Sequence, residues 1–398
     1  MKNILIYFPD SLVPLTMANR IRINEKIKFL SRNHSVTFLS LIDTLNQKDE
    51  TLKLVNGCCK CEFIFRPAKK RMKGFLLRTK WKLYDYFGIF PYDYSLCNGD
   101  WHKRAVRKAI PDLDKYDCII CDYWYGASSI FNYLKNTHTK KIVDTHNVLS
   151  DQRALDVVRF YKVFSSVKWI NKYRQLEKES LAKADTIFAV SKSDYDYYKV
   201  NYSDKHVIFI PFGIDVSKFS DFSLESDSNT ILSYGNLGDD QNILAFDRLW
   251  DNILPLIKKE KPDTQLLVVG NNPTEKMKEI NKLDYVNVTG YVKNPLEFLC
   301  KAKVHIVATE TASGFRGRVP EVMGMGIPTI GTHNALDCIG LQGELAELVT
   351  DDDGEIAALA ISLMSDKAYW TRISGQSKKF ILENYSAQKT YSNLEVYI

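Results

Sequence analysis

A glycine-rich segment with two arginines and one glutamate has the clearest chemical potential in the chain. It follows the apolar run 304–308, and its notable residues are Ser313, Gly314, Phe315, Arg316, Gly317, Arg318 and Glu321. Loop N–H groups and the N-terminus of a following helix bind anions, and arginines add cations suited to oxygen anions. Glu321, in the first helical turn, can accept hydrogen bonds from sugar hydroxyls. The pattern indicates a site for a diphosphate and a ribose. The alternative is an ordinary loop with surface arginines and a glutamate favoured by the helix dipole.

A histidine follows a short apolar run in the first half, in Asp144-Thr145-His146-Asn147. A residue just after a parallel strand faces the crevice in which α/β proteins bind ligands. We therefore predict that His146 acts in the site, with the alternative that it only caps a turn. Asp144 either selects the tautomer of His146 or simply ends the strand.

Two Asp-x-Asp patterns, at 112–114 and 194–196, match the motif of metal-dependent transferases. Neither follows a strand in a nucleotide-binding half, so we expect no metal and no other cofactor. Asp351-Asp352-Asp353 precedes Gly354 and is typical of a solvated turn and helix cap.

The segment 66–82 contains eight basic residues and no acidic one, with Phe75, Leu76, Leu77 and Trp81 between them. Such a segment can lie on an anionic membrane surface or bind the diphosphate of a lipid-linked acceptor. The alternative is a solvated surface helix. Nucleic acid is not an expected partner, because no recognised nucleic-acid module surrounds the patch and the net charge is only +6.

The elements that position these residues alternate between apolar strands and amphipathic helices, which indicates an α/β protein with parallel sheets covered on both faces. With 398 residues the chain is expected to form two domains. We predict strands at 3–8, 35–41, 117–121, 141–144, 186–190, 206–210, 229–234, 265–269, 286–289, 304–308 and 328–331. The main helices are predicted at 20–30, 162–184, 243–259, 296–300, 321–325, 356–364 and 369–383.

The eight cysteines include Cys118 and Cys121, which have redox-motif spacing inside an apolar run. We interpret them as buried structural thiols, because residues i and i+3 of a strand point to opposite faces. No apolar run approaches the length of a membrane span, and the chain opens directly on a predicted strand. A cytoplasmic location is expected, with possible peripheral contact with the inner face of the cell membrane.

Several motifs, in order, resemble glycosyltransferase family 4. They are the loop 14–22, Asp144-Thr145-His146-Asn147, the segment 184–191, Ile210-Pro211-Phe212-Gly213-Ile214-Asp215, the segment 292–302 and the glycine-rich segment with Glu321. The resemblance covers most of the chain. It implies a GT-B fold, in which two Rossmann-like domains face each other across a cleft.

The resemblance also implies domain limits and site residues. An acceptor-side domain would span 1–210, a nucleotide-sugar-binding domain 211–380, and residues 381–398 would pack back on the first domain. The implied catalytic residues are His146, Arg316 and Arg318. The implied donor-binding residues are Gly235, Asn236, Gly270, Val292, Ser313, Gly314, Phe315, Gly317 and Glu321. The implied acceptor-side residues are Asn19, Arg22 and Asp144.

Three departures from the family pattern bear on activity. The first acid of the E-x7-E pair is replaced by Ser313, as in members that have an Arg-x-Lys sequence before the second acid. Asn236 and Gln241 stand where many members have arginine and lysine for the diphosphate, so its charge would fall on Arg316 and Arg318. Ala18 replaces a frequent glycine.

The resulting expectation is a retaining transferase that moves a sugar from a nucleoside diphosphate sugar to a hydroxyl of a glycan or lipid-linked acceptor, in cell-surface polysaccharide or glycan synthesis. Two alternatives stay open. One is a sugar-nucleotide epimerase or hydrolase of the same fold, and the other is an impaired homologue that acts as a binding subunit.

Overall fold

The computed structural model describes residues 1–398 except 16, 68–71, 88, 136–137, 149–165, 220, 226–227 and 311–314. The chain forms two compact units. The first comprises Met1–Pro211 and Tyr391–Ile398, and the second Phe212–Thr390. The chain thus passes from the first unit to the second after Pro211 and returns to the first at Tyr391.

The first unit is built on a parallel sheet of seven strands, in the order β3-β2-β1-β4-β5-β6-β7. The strands are β1 Asn3–Phe8, β2 Ser35–Ile42, β3 Lys60–Phe65, β4 Cys118–Asp122, β5 Lys140–Asp144, β6 Thr186–Ala189 and β7 His206–Phe209. Central strands such as β4 are buried along their whole length, because helices cover both faces of the sheet. Cys118 and Cys121 are free and buried on β4, in agreement with the interpretation as structural thiols.

Helices connect these strands. They are α1 Ala18–Leu30, α2 Leu45–Val55, α3 Met72–Tyr86, α4 Tyr92–Cys97, α5 Asp100–Ala109, α6 Trp124–Tyr133, α7 Ser166–Leu181 and α8 Lys192–Asn201. The helix predicted at 162–184 is thus described from Ser166, and its first residues lie outside the described part. Strand β3 and the helices α2, α4, α5, α6 and α8 of this unit were not predicted.

The second unit has a parallel sheet of five strands, in the order β10-β9-β8-β11-β12. The strands are β8 Thr230–Tyr234, β9 Gln265–Val269, β10 Val286–Val288, β11 Val304–Val307 and β12 Thr329–Gly331. The helices are α9 Asp240–Arg248, α10 Leu254–Glu260, α11 Glu275–Ile280, α12 Leu296–Leu299, α13 Arg318–Met325, α14 His333–Leu336, α15 Asp353–Ser365, α16 Lys367–Tyr385 and α17 Ala387–Glu395, the last of which ends in the first unit.

The helix predicted at 243–259 is divided in the structure. A π-helical turn at Leu249–Ile253 separates α9 from α10. Pro255 is the second residue of α10 and has no N–H group to continue the regular hydrogen bonding. The wider turn before it accommodates this missing donor.

In each sheet there is one point at which the order of successive strands changes from one side of the sheet to the other. In the first unit this switch point lies between β1 and β4, and in the second between β8 and β11. The connections leaving neighbouring strands there run to opposite sides, which opens a crevice at the carboxyl ends of the strands. Ligand sites of α/β proteins form in such crevices. Among the described helices, none is long and apolar enough to cross a bilayer.

Candidate functional site

The crevice of the second unit contains a tyrosine, an arginine and a glutamate in contact. Tyr234 is the last residue of β8, and Glu321 lies in the first turn of α13, which follows β11. The Tyr234 hydroxyl donates to Oε2 of Glu321 at 3.0 Å. Arg318 donates to the same hydroxyl oxygen, and its guanidinium lies 4.3 Å from the centre of the Tyr234 ring. Arg318 and Glu321 are 3.9 Å apart.

Burial and the neighbouring Glu321 carboxylate raise the pKa of Tyr234 well above its ordinary value. The phenol therefore stays protonated and holds the carboxylate by a hydrogen bond. Glu321 keeps further acceptor capacity, and its side chain is 20% exposed. It can therefore accept hydrogen bonds from the hydroxyl groups of a ligand. Tyr234 was not among the predicted site residues, although its place at the end of a predicted strand was a usable signal.

The second predicted arginine lies against α9. Nη2 of Arg316 donates to Oε1 of Gln241 at 3.2 Å. Burial lowers the pKa of Arg316, but a guanidinium remains charged at neutral pH. Gln241 thus orients an arginine that lies 75 positions away in the chain.

Two helices begin near these arginines without a side-chain cap. Asp239 before α9 and Gly317 before α13 both lack a capping hydrogen bond to the first turn. No capping side chain therefore offsets the positive end of either helix dipole, which can attract an anion. Together with two guanidinium groups, this arrangement suits the phosphates of a nucleotide.

The loops after β8 and β9 approach each other very closely. A Cβ atom at position 270 would lie 1.8 Å from the carbonyl oxygen of Gly235, and Gly270 has φ of 152°. Only glycine fits there. The loop after β8 is also held by amides, since Asn236 donates to Asp239 at 2.8 Å and Asn272 donates to Asn236 at 3.2 Å. Gly235, Asn236 and Gly270 thus shape the floor of the crevice by backbone proximity.

The remaining predicted donor residues have different surroundings. The ring of Phe315 stacks between those of Phe212 and Tyr385, with centroids 5.9 and 5.8 Å away. The ring of Phe315 thus has a packing role, and its expected contact with the donor stays a prediction. Val292 is half-buried. Ser313 and Gly314 lie outside the described residues.

The first unit contains a buried cluster of charged residues beneath its own crevice. Arg22 donates to Oδ1 of Asp144 at 2.8 Å and to the carbonyl oxygen of Pro211 at 2.5 Å. Nζ of Lys26 donates to both Asp122 and Asp144, each at 2.7 Å. All four side chains are fully buried. Burial raises the pKa of Asp144, but the charges of Arg22 and Lys26 outweigh it and hold that pKa below its ordinary value.

This cluster bears on two sequence expectations, one for Arg22 and one for Asp144. Arg22 was expected to line the acceptor side, but its guanidinium is enclosed by Asp144 and Pro211 and has no exposed surface. Asp144 was expected either to orient His146 or to end the strand. It ends β5 and binds the two cations, while Asp122 contacts the histidine instead.

His146 lies at the surface of this cluster with 9% of its area exposed. Its Nε2 is 3.0 Å from Oδ1 of Asp122, and its ring is 4.6 Å from that of Tyr123. The Tyr123 hydroxyl accepts a hydrogen bond from Asn19 at 2.9 Å, so the predicted Asn19 joins the same site. Because Asp122 accepts from Nε2, the ring orientation is set and Nδ1 is the nitrogen left for a ligand hydroxyl.

Lys26 and Asp122 were not predicted. The available signals were weak: Lys26 lies one helical turn after Arg22, and Asp122 ends a predicted apolar strand. Other acidic groups have structural roles, as predicted for Asp352, which caps α15 through the N–H of Glu355. Within the described part of the chain, no three His, Cys, Asp or Glu side chains cluster as a metal site would require.

Among the described residues of the basic segment 66–82, some side chains are buried and others are exposed. Trp81 is buried in the core, while Arg66 and Arg78 are bound by Asp43 at 2.8 and 3.0 Å. The outer face of α3 and the turn after it expose large apolar side chains, each more than half accessible: Phe75, Leu76, Leu83, Tyr86 and Phe87. With 3.6 residues per turn, Lys80 and Lys82 fall on the two edges of this apolar face.

Residues 228–366 match a family model described as Glycosyl transferases group 1. The matched stretch contains all five strands of the second unit, together with Tyr234, Arg316, Arg318 and Glu321. A relative that is 20% identical over 311 residues, 73% of this chain and 76% of the other, is an uncharacterized 44.6 kDa protein in the cps region of Klebsiella pneumoniae.

Three solved structures resemble the chain over its whole length. Sucrose-phosphate synthase from Thermosynechococcus elongatus has a TM-score of 0.65 and 13% identity, over 100% of this chain and 98% of that one. Anabaena HepE in complex with UDP and glucose has a TM-score of 0.64 and 11% identity, over 100% and 99%. A TarM mutant from S. aureus in complex with Fondaparinux, alpha-GlcNAc-glycerol and UDP has a TM-score of 0.66 and 10% identity, over 100% and 99%. At such identities the likeness concerns the fold.

Proposed function

We propose that this chain, which has the GT-B fold and matches the group 1 glycosyl transferase model over residues 228–366, moves a sugar from a nucleoside diphosphate sugar to a hydroxyl group of a glycan acceptor. The observation that carries the proposal is the contact of Tyr234, Arg318 and Glu321 at the switch point of the second sheet. In this contact the Glu321 carboxylate, which can accept hydrogen bonds from ribose, lies next to the Arg318 guanidinium, which can bind phosphate. Both residues belong to the stretch that matches the family model.

Each group in this crevice has a defined part in the proposal. Glu321, held by Tyr234, accepts hydrogen bonds from the ribose hydroxyls. Arg316, Arg318 and the two uncapped helix starts stabilise the negative charge that develops as the diphosphate leaves. Donors oriented in advance toward such charge make the largest contribution to rate in many enzymes. Ser313 in place of an acid supports a mechanism without a pair of carboxylates.

The chemistry of two neighbours supports a narrower choice of donor and acceptor. HepE is in complex with UDP and glucose, and the TarM mutant with UDP and alpha-GlcNAc-glycerol. We take a UDP-sugar as the first donor to test and a glycan hydroxyl as the acceptor. Retention of configuration, independence from metal and a role in cell-surface polysaccharide are parts of the proposal that rest on the resemblance to family 4.

The outer face of α3 supports a membrane location for the acceptor. Its exposed apolar residues are flanked by Lys80 and Lys82, a distribution suited to the interface of an anionic bilayer. We propose that the first unit binds the cytoplasmic membrane surface peripherally and receives a lipid-linked acceptor there.

The test is nucleotide binding, measured as the rise in melting temperature with UDP-, GDP-, ADP- and dTDP-sugars. A ligand that binds only the native state stabilises it by mass action. We expect one nucleotide to raise the melting temperature of the wild type, and Glu321→Ala to abolish the rise. Glu279→Ala, an exposed acid of the same unit with a single lysine partner, is the matched control and should behave as wild type.

The alternatives give different results in the same experiment. An impaired binding homologue would respond to none of the nucleotide sugars, which would overturn the proposal. An epimerase or hydrolase would bind the nucleotide but convert the donor without any acceptor, at a rate that acceptor glycans do not change.

A further inference from the structure

Three cysteines lie within four positions of one another where the chain leaves α2 and enters β3. They are Cys58, Cys59 and Cys61. The Sγ atoms of Cys59 and Cys61 are 3.7 Å apart, within hydrogen-bond distance for sulfur. Both side chains are partly exposed, and Cys58 is exposed. Small oxidants and small thiols can therefore reach this group from solvent.

The course of the backbone places two of these thiols side by side. β3 begins at Lys60 and forms one edge of the seven-stranded sheet. Residues two positions apart on an extended chain point to the same face, so Cys59 and Cys61 share one face. Lys60 and Glu62 share the other face, where they form an ion pair at 2.9 Å. The contact of the two sulfur atoms thus follows from the strand that begins there.

The same two cysteines can be joined by a disulfide with little movement. Cα atoms two positions apart are separated by at most about 7 Å, next to the usual disulfide range of about 4.4–6.8 Å. Cys59 lies in the bend before the extended strand, which shortens that separation. The Cα atoms of the neighbours Cys58 and Cys59 are only about 3.8 Å apart, which is too close for an ordinary disulfide.

The hydrogen bond gives the two thiols different reactivity. With Cys59 as the donor, it stabilises a thiolate at Cys61 and holds the pKa of Cys61 below its ordinary value, although burial opposes this effect. The same hydrogen bond raises the pKa of Cys59. Because the thiolate is the form that attacks, Cys61 is the nucleophile and Cys59 is the second thiol.

The other five cysteines have less reactive surroundings. Cys97, Cys118 and Cys121 are fully buried, and burial raises the pKa of each thiol. Cys338 is buried as well. Cys300 is partly exposed, but burial raises its pKa too. Oxidation is therefore expected to start at the cysteines next to β3.

We propose that Cys59 and Cys61 form a redox modification site, at which a hydroperoxide converts the two thiols into a disulfide. The Cys61 thiolate attacks a peroxide oxygen, the O–O bond breaks, and Cys61 becomes a sulfenic acid. The alkoxide or hydroxide that leaves takes up the proton that Cys61 lost. The Cys59 sulfur then attacks Sγ of Cys61, the S–O bond breaks, and the Cys59 proton leaves with the oxygen as water.

The two thiols thus lose two electrons and two protons in total, and the peroxide gains them. A low-molecular-weight thiol restores the pair by thiol–disulfide exchange. In a reducing compartment such a disulfide is transient, as is typical of redox-sensing sites. The inference does not rest on the proposed transferase function, because no residue assigned to sugar transfer takes part in it.

The test treats the full chain with hydrogen peroxide and then digests it with trypsin in the absence of reductant. Trypsin cuts after Lys60, so the reduced protein releases Cys59 and Cys61 in the separate peptides 54–60 and 61–69. A disulfide keeps these peptides joined, two hydrogen atoms lighter than their sum. We expect mass spectrometry to find the joined peptides in the wild type, and dithiothreitol to separate them.

Three serine variants locate the reacting thiols. Cys59→Ser and Cys61→Ser should each abolish the joined peptides, and dimedone should label the sulfenic acid at Cys61 in Cys59→Ser. Cys58→Ser is the matched control, since it removes an exposed neighbouring thiol and should form the joined peptides as the wild type does. Melting temperatures in the presence of reductant show that all three variants fold.

Joined peptides that persist in Cys59→Ser and disappear in Cys58→Ser would make Cys58 the partner and overturn the assignment. Oxidation of Cys300 or of the buried cysteines before Cys61 would overturn the selectivity. The site itself would be refuted if the wild type gave no joined peptides at a peroxide dose that fully oxidises glutathione in the same solution.

Discussion

At the residue scale, the two sites use charge in opposite ways. In the first unit, Lys26 and Arg22 are enclosed with Asp122 and Asp144 and have no exposed surface. Their pairing offsets the cost of burying each charge and makes a rigid base beneath His146. In the second unit, the side chain of Arg318 is 45% exposed, which leaves its charge accessible to a ligand.

Two buried histidines make stability depend on pH. Burial lowers the pKa of His102 and of His305 to about 3, whereas the unfolded chain titrates near 6.5. As pH falls below 6.5, the unfolded state binds protons that the native state excludes, so stability decreases. We expect the burial of each histidine to lower the free energy of unfolding by about 2 kcal/mol as the pH falls from 7 to 5.

Urea unfolding at several pH values measures this loss. His305→Asn should reduce the slope of stability against pH, even where it lowers stability at pH 7. His333→Asn is the control for replacing a histidine outside the core. A slope that His305→Asn does not change would show that other groups cause the acid sensitivity.

A pair of glycine substitutions tests the close approach of the β8 and β9 loops. Gly270→Ala places a methyl group against the Gly235 carbonyl, so we expect a loss of at least about 2 kcal/mol of stability and loss of nucleotide binding. Gly375 lies in α16, and a methyl group added there would have no neighbouring atom within 4 Å, so Gly375→Ala should stabilise by about 0.5–1 kcal/mol. Thermal unfolding and UDP titration report both effects, and equal behaviour of the two variants would contradict the described backbone contact.

At the element scale, α3 has one face in the core and one face of exposed apolar residues. Replacing two of these, as in Phe75→Ser with Leu76→Ser, removes apolar surface that a bilayer would bury, at about 1.5–3 kcal/mol for each side chain. We expect binding to vesicles of phosphatidylcholine with phosphatidylglycerol to fall at least tenfold, as measured by flotation. Binding to vesicles of phosphatidylcholine alone should be weaker from the start, because the lysines then have no anionic partner.

Val200→Ser is the matched control, since Val200 is 79% exposed on α8, away from the basic segment. It should float with the vesicles as wild type does. If Val200→Ser and the α3 variant lose binding equally, or if wild type does not float at all, α3 is not a membrane contact.

At the scale of the whole molecule, the groups assigned to the nucleotide all belong to the second unit, while His146 belongs to the first. His146→Ala should therefore leave the affinity for UDP within about twofold of wild type, yet lower the rate of sugar transfer about a hundredfold, as for the loss of one oriented polar group in an active site. Glu321→Ala should show the converse, with weakened UDP binding.

Calorimetric titration of UDP and a transfer assay on the same preparations separate these effects. An equal loss of UDP affinity in His146→Ala would mean that the histidine contributes to the nucleotide site or to folding. Unchanged transfer in that variant would remove His146 from the mechanism.

The sequence by itself indicated the two α/β units, most strands to within one or two residues, and the positions of Arg316, Arg318, Glu321 and His146 after strands. These are local properties, because apolar runs, glycine-rich turns and helix starts depend on neighbours in the chain. Strand β3 and several short helices, among them α2, α5 and α6, were not predicted, since their place in the chain is set by packing on the sheet rather than by the strand pattern alone.

Only the tertiary structure decided which side chains meet. Lys26 and Asp122 are 96 positions apart and Tyr234 and Glu321 are 87 apart. Each pair is joined because the sheet places strands that are distant in the sequence, with the helices that follow them, side by side. Long-range contacts also enclose Arg22, place the Phe315 ring against other aromatic rings, and bring Asp122 rather than Asp144 to His146. Partner choice of this kind depends on strand order and register, which no local stretch of residues specifies.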